Sequence, residues 1–335
     1  MLKHSSDSDP GISRRKIGRA WGYFDPEGKR ITNRDEIDRL NAIALPPAYT
    51  DAWFCPDPDC HIQATGKDAR GRKQYRYHAD YRAKQDASKY EGTREFGAAL
   101  PKLRRRVEAD LKRRKLGRDT VLAAVVRLLD TERFRVGNEQ YARQNNSFGA
   151  TTLRGRHVLR KGAKMKMRFT GKHGIVHEAT ITDTALKRVV KQCQDLPGQN
   201  LFQYLNDDGE PQAIGSAEVN AYIREATGGD FTAKHFRTWG ASVIAFDQML
   251  KAGEDRISLK TVVEPVAEAL GNTPAMSRKS YVHPLVIETL KDRPRDPLRG
   301  MERPRPRKWL TSAEVGLLKF LAKKPRRKLV NPPPA

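Results

Sequence analysis

Cysteine is scarce in this chain, with three residues (Cys55, Cys60 and Cys193) among 335. So few thiols exclude a disulfide framework and suit a reducing compartment. Cys55, Cys60 and His61 offer three potential metal ligands and no second pair, so they read as a loop with incidental thiols rather than a zinc site. No apolar run approaches the ~20 residues that a membrane-spanning helix needs. Residues 1–10 are polar and lack the apolar centre of a signal peptide. The expected location is therefore the cytoplasm, away from any membrane. A glycine-rich phosphate loop and a carboxylate cluster suited to Mg²⁺ are also missing, so neither nucleotide nor metal is expected as a cofactor. There is no internal repeat. Acidic residues are in deficit, 40 Asp and Glu against 64 Lys and Arg, for a formal net charge of +24. A field of that sign attracts polyanions, and nucleic acid is the commonest such partner.

What is present divides along the chain. Residues 1–19 read as a flexible N-terminus, and residues 20–85 as a small domain of short strands and turns with one helix. Within it, Ile37, Leu40 and Ile43 step at helical spacing. Residues 66–71 form a hairpin loop ahead of the alternating Gln74-Tyr75-Arg76-Tyr77. From about residue 86 to 292 the pattern is mainly helical. Leu100, Leu103, Val107 and Leu111 step by three and four, as do Val121, Val125, Leu128 and Leu129. Residues 165–181 interrupt the helices with two alternating stretches around Gly171-Lys172-His173-Gly174, a β-hairpin with a lysine at its tip. Helices are expected again at 185–194, 216–226, 232–251, 259–270 and 277–291. The fold class is thus α+β, a small mixed N-terminal domain followed by a larger, mainly α domain. Residues 293–335 form a Pro- and Arg-rich tail with thirteen Lys and Arg against three acids. Thr311 and Glu314 have capping-box spacing before an apolar run, which predicts one short helix there. The tail reads most simply as a DNA-binding extension, and the sequence leaves open whether its helix docks on the body or on another protein.

Five positions carry chemistry together. Arg135 lies in Phe-Arg-Val-Gly, Lys172 at the hairpin tip, Arg237 in Lys-His-Phe-Arg-Thr-Trp-Gly, and Asn272 nine residues ahead of Tyr281. A tyrosine can cleave a phosphodiester if cations neutralise its non-bridging oxygens and an acid protonates the leaving oxygen. Arginine suits the first task, because its planar fork holds phosphate in bidentate fashion and stays charged. A lysine on a flexible hairpin suits the second.

In order and spacing these residues resemble the active site of type IB DNA topoisomerases of the compact poxvirus and bacterial kind. The resemblance covers residues ~20–292. It implies a monomeric, two-lobed clamp on double-stranded DNA that relaxes supercoils without ATP or metal. It also implies Tyr281 as the nucleophile of a 3′-phosphotyrosyl intermediate, Arg135 and Arg237 as phosphate clamps and Lys172 as the acid. The chain departs from the poxvirus pattern at Asn272, where those enzymes carry histidine; an amide can donate a hydrogen bond but cannot carry charge. Residues 66–77 resemble a stretch that lies in the DNA major groove, which implies DNA contacts by Arg72, Lys73, Gln74, Tyr75 and Tyr77. The helix starting near Gly137 matches a second groove element and adds Asn138, Gln140 and Tyr141, although poxvirus enzymes have lysines at the first two. Lys234, one helical turn before Arg237, is a further candidate backbone contact. A nucleoid-associated enzyme follows.

Plainer readings stand beside these. Each residue alone is ordinary: a half-buried tyrosine, a salt-bridging helical arginine, an exposed hairpin lysine, an asparagine in a turn. Tyr75 and Tyr77 could be strand packing, and His157, His173 and His177 read as surface or structural. A tyrosine recombinase shares the Arg, Lys, Arg and Tyr chemistry, but precedes it with a helical rather than a mixed domain. A non-catalytic basic DNA-binding protein would explain the charge and not the constellation.

Overall fold

The computed structural model describes residues 2–322 apart from Arg19 and Ala163, so residues 323–335 of the basic tail lie outside the described residues. Contacts divide the chain into two compact units, 1–91 and 92–335.

The first unit contains β1 (Ile12–Ile17), β2 (Ala20–Phe24), α1 (Arg34–Ala42), β3 (Thr50–Phe54), β4 (Ile62–Lys67), β5 (Lys73–Tyr77) and α2 (Ala79–Ser88). The strands form one antiparallel sheet in the order β2-β1-β3-β4-β5. Asn33 caps α1 by accepting the Glu36 N–H, and Leu40 of that helix joins Ile12, Tyr23, Leu45, Phe54 and Ala64 in the core. Two expectations are corrected here. Residues 12–17, assigned to a flexible terminus, are an inner strand of the sheet. Their sequence, Ile-Ser-Arg-Arg-Lys-Ile, shows no apolar alternation, and the strand is held by ladders on both sides, from Ser13 opposite Phe24 and from Ile12 opposite Phe54. Cys55 and Cys60, read as incidental thiols, are joined as a disulfide; their Cα atoms stand 6.4 Å apart across a short loop, within the span a disulfide bridges.

The second unit opens with α3 (Thr93–Lys112), α4 (Arg118–Glu132) and α5 (Glu139–Asn145), followed by β6 (Val158–Lys161), β7 (Lys164–Thr170) and β8 (Val176–Ile181). Next come α6 (Thr184–Gln194), the small hairpin of β9 (Gln203–Leu205) and β10 (Pro211–Ala213), then α7 (Ser216–Thr227), α8 (Ala233–Ala252) and α9 (Leu259–Leu270). The unit closes with α10 (Pro274–Ser280), α11 (Pro284–Asp292) and α12 (Ser312–Ala322). Helix α4 is apolar on nearly every face and buried from Thr120 to Val126, as expected of a helix at the centre of a domain. The expected hairpin is present as β7 and β8, with Phe169 opposite His177, and β6 adds a third strand along β7.

The single helix expected over 277–291 is two. Pro284 has no N–H to continue a helix, and α10 ends at Tyr281, whose φ of −131° is not helical. The helix predicted in the tail exists as α12, and it docks on the body. Its Glu314 sits in a buried ion-pair cluster with Arg104 and Asp130 and accepts the Trp239 indole N–H at 3.2 Å. Leu298, Leu310, Val315 and Leu317 join the main core. Among the described residues no helix is long and apolar enough to cross a membrane.

Candidate active site

Arg135 is delivered by a sharp exit from α4. Arg133 caps that helix in the left-handed region, at φ 57°, and the chain then passes against the short 3₁₀ turn Ala150–Thr152. The carbonyls of Arg135 and Val136 accept the N–H groups of Ala150 (2.8 Å) and Thr151 (2.7 Å). This approach needs Gly149, since a Cβ there would stand 2.6 Å from the Arg135 carbonyl oxygen. Phe134 anchors the segment edge-on against Phe169, ring centres 4.9 Å apart.

Arg237 lies on α8 and is 4% exposed. Its Nη1 donates to the Arg133 carbonyl at 2.5 Å and its Nη2 to the Leu270 carbonyl at 3.0 Å. Both acceptors belong to helix C-termini, where carbonyls lack helical partners and the dipole favours a cation. Burial, then repulsion from Arg135, lowers its pKa to about 10, so the guanidinium is still charged at neutral pH.

Asn272 follows the left-handed cap Gly271 (φ 59°), and its N–H returns to the Ala267 carbonyl at 3.0 Å. The turn aims its side chain at Arg135, whose Nη2 donates to Asn272 Oδ1 at 2.9 Å. The amide nitrogen is therefore free to donate elsewhere. Thr273 caps α10 by accepting the Met276 N–H at 3.2 Å. Tyr281 stands at the far end of that helix, half-buried. Beyond it, buried Val282 and the His283 N–H, which donates to Ser242 Oγ of α8 at 2.9 Å, pin the chain. The Arg237 guanidinium lies over the Tyr281 ring, 5.0 Å from its centre.

Three donor atoms at this point, Arg135 Nη1, Arg237 Nε and Asn272 Nδ2, are buried without a well-formed hydrogen bond, while both guanidiniums bear on the Tyr281 phenol. A buried donor left unsatisfied costs about 1–3 kcal/mol, and three around one tyrosine make a site with an unmet demand for an anion. The phenol responds to the same field. Burial alone would raise its pKa, but Arg237 and then Arg135 outweigh that and hold it below the ordinary value.

The structure thus brings Arg135, Arg237, Asn272 and Tyr281 together. Lys172 is exposed on the one-turn 3₁₀ segment Lys172–Gly174 between β7 and β8. Lys234 is exposed on α8. In the first unit, Lys73 pairs with Asp7, while Arg72 and Gln74 donate to Asp68 at 2.9 and 3.1 Å. Tyr75 and Tyr77 are stacked, 5.9 Å apart, and 43% and 45% exposed. Asn138 caps α5, its Oδ1 accepting the Tyr141 N–H at 3.1 Å, while Gln140 and Tyr141 face solvent. Two residues beside the site carry more than the sequence reading gives them: Arg133 is not singled out, and His177 reads as surface or structural. Arg133, whose carbonyl holds Arg237, carries no sequence signal, because its role lies in a backbone conformation. His177 shows only as a polar residue at an inward position of an alternating strand.

Known proteins match the sequence along most of the chain. The family described as eukaryotic DNA topoisomerase I, catalytic core, matches residues 78–296, and that described as bacterial DNA topoisomerase IB, N-terminal domain, matches residues 20–68. The chain is 32% identical over 297 residues to the DNA topoisomerase 1B of Acanthamoeba polyphaga mimivirus, covering 85% of this chain and 88% of the relative. It is 23% identical over 233 residues to the DNA topoisomerase 1B of vaccinia virus (strain Copenhagen), covering 68% and 72%. With the DNA topoisomerase 1 of Mycosarcoma maydis it shares 24% identity over 205 residues, 54% of this chain and 20% of that one. With a family match over more than half its length and so extensive a relative, the chain belongs to the type IB DNA topoisomerases, isomerases that act on DNA.

Proposed function

We propose that the chain relaxes supercoiled duplex DNA by transient single-strand cleavage, with Tyr281 as nucleophile. The observation that carries this is the convergence of Arg135, Arg237 and Asn272, with buried donors short of good hydrogen bonds, on a tyrosine whose ring lies under Arg237. A phosphodiester seated there presents two non-bridging oxygens. Arg135 and Arg237 neutralise them, and Asn272 donates through Nδ2, its Oδ1 being held by Arg135. The lowered pKa of the phenol eases loss of its proton to solvent. The Tyr281 oxygen then bonds to phosphorus as the bond to the 5′ oxygen breaks, and the Lys172 ammonium gives that oxygen its proton. What remains is a 3′-phosphotyrosyl enzyme and a free 5′-hydroxyl strand. That strand rotates about the intact one, and the same steps in reverse reseal it. The bond energy stays in the phosphotyrosyl link, so no ATP or metal is consumed.

Lys172 must come to the scissile bond from its exposed turn, and a lysine on a hairpin tip has that freedom. We further propose that the chain acts as a monomer and that both units grip one duplex, with Arg72, Lys73, Gln74, Tyr75 and Tyr77 in one groove contact, Asn138, Gln140 and Tyr141 in another, and Lys234 on the phosphate backbone. Binding by so many cations releases counterions and weakens steeply with salt. Such an enzyme would work in the cytoplasm on nucleoid DNA.

The test is relaxation of positively and negatively supercoiled plasmid in EDTA without ATP, wild type beside Tyr281→Phe, with a detergent quench. Relaxation of both signs with a 3′-linked adduct, both lost in the variant, is the expected result. A Tyr281-dependent adduct on particular sequences without relaxation would point to recombinase chemistry instead.

A further inference from the structure

His177 has no part in the chemistry above, yet its ring touches the residue immediately before three of the groups that do. It stacks on Phe169, its cross-strand partner, with ring centres 5.3 Å apart and planes 23° from parallel. Phe134, which precedes Arg135, meets it edge-on at 5.8 Å. A Cβ on Gly171, which precedes Lys172, would lie 2.6 Å from its Cδ2. A Cβ on Gly271, which precedes Asn272, would lie 2.6 Å from its Cε1. Separations under 3 Å are closer than van der Waals contact permits, so the ring fills the space between these two backbones and both glycines are needed to admit it. Burial, with Arg135 and Arg237 nearby, lowers its pKa to about 4. It adds no third cation to the phosphate site at neutral pH.

A hairpin whose tip carries a mobile lysine needs a fixed neck if the lysine is to find the leaving oxygen. Asp183 and Arg127 tie down the segment after β8, 3.3 Å apart, but they lie beyond the far end of that strand from the turn. At the turn itself the Ser147 hydroxyl donates to the Gly171 carbonyl at 3.3 Å. The His177 ring is the contact that reaches across to the Asn272 turn.

We propose that His177 is a positioning residue: its ring sets the separation between the Lys172 hairpin and the Gly271–Asn272 turn, and so places the lysine over the leaving 5′ oxygen. The assignment rests on Lys172 as proton donor, and its test separates the two. Single-turnover cleavage would be measured with the full chain on a duplex with an ordinary 5′ oxygen at the scissile bond, and on one with sulfur in that bridging position. A thiolate leaves without protonation, so the sulfur substrate restores cleavage to any variant whose defect is in delivering the acid. Lys172→Ala is expected to be slow on oxygen and restored on sulfur. His177→Ala is expected to lose about 100-fold on oxygen, the scale of a misplaced reacting group, and to recover to within a few-fold of wild type on sulfur. His177→Phe, which keeps a ring in the gap, is expected to stay close to wild type on both. Should His177→Ala fail to fold, Gly171→Ala displaces the ring from the other side and carries the same expectation. Equal loss on both substrates, no loss at all, or a Phe variant as slow as Ala would overturn the role of His177. Failure of sulfur to restore Lys172→Ala would overturn the lysine as acid, and the proposal with it.

Discussion

The two units carry their working cations in opposite states. In residues 92–335, Arg237 is buried and Arg135 half-buried; they are tied to two helix-end carbonyls and to Asn272 Oδ1 and bear on the Tyr281 phenol. In residues 1–91, Lys73 and Arg72 sit at the surface and are already paired with acids, Asp7 and Asp68. These cations gave up much of their water when the chain folded, so a phosphate arriving as proposed would find donors fixed in place; that is the arrangement which stabilises charge most effectively. If DNA binds there as proposed, the surface pair exchanges a carboxylate for a phosphate, which adds little net attraction and keeps binding reversible along the duplex. On the proposed function the difference would separate two tasks, holding one phosphate for reaction and holding many loosely enough to let DNA turn.

The comparison is broken most directly at Arg237. Arg237→Ala is expected to slow single-turnover cleavage by about 1,000-fold, the upper scale for losing one preorganised donor, with duplex affinity little changed. The pH profile gives a second reading. Tyr281 is held below the ordinary phenol value of 10.0 by Arg237 and Arg135 against the effect of burial. Cleavage by the wild type should therefore rise with pH and level off below that value. Without Arg237 the plateau moves upward. Equal plateaus would mean that the arginine does not act on the phenol.

A closed charge cluster in the same unit sharpens the contrast. Arg104, Asp130 and Glu314 satisfy one another in the interior, with no ligand to wait for. Glu314→Ala would leave Arg104 short of a partner and unpin α12 from α8. The expected loss is about 3 kcal/mol of unfolding free energy, the scale of breaking a buried ion pair, read by urea titration. Burial opposes the Glu314 charge, but the Arg104 pair outweighs it and keeps the carboxyl below the usual range. A depressed carboxylate contributes its stability above the unfolded pKa and loses it as pH falls through the folded one. The gap between wild type and variant should therefore be full at neutral pH and close in acid.

How much of this was legible follows from which signals are local. Strict alternation over 165–181 gave the hairpin, because period two is written in adjacent residues. The strand at 12–17 was hidden, since Arg14, Arg15 and Lys16 mask its pattern and its pairing partners supply the order. Pro284 marks a break that the apolar stepping of 277–291 concealed, so Tyr281 lies at the end of a short helix rather than within a long one. Arg104 and Glu314 are 210 positions apart, and nothing local couples them. That Arg135, Arg237, Asn272 and Tyr281 belong together was suggested by resemblance, and the structure brings them to one place. The orphaned nitrogens were not legible, because an unmet hydrogen bond exists only once every neighbour is placed.

Asn272 tests how much of the buried site depends on charge. Its amide is oriented by Arg135, so Asn272→Ala removes one neutral donor and also frees Arg135 Nη2. A loss of about ten-fold in cleavage rate is expected, the scale of one hydrogen bond to a charged group. Asn272→His should retain a donor and fall between the two. If Asn272→Ala matched wild type, the amide would be a turn residue whose orphaned nitrogen carries no load.

The smallest effect is expected at the surface, and its sign matters more than its size. Asp7 accepts from Thr65 at 3.0 Å and pairs with Lys73, whose hydrogen bond leads the lowering of its pKa. If Lys73 exchanges that carboxylate for a phosphate, Asp7→Asn removes the competitor and should tighten duplex binding by about two- to five-fold, the range of an exposed ion pair. Fluorescence anisotropy at two salt concentrations reads it, and the gain should shrink as salt screens the pair. Weaker binding in the variant would mean that Asp7 holds Lys73 in place for DNA rather than competing for it. The surface cations would then be preorganised like the buried ones, and the contrast between the two units would reduce to depth alone.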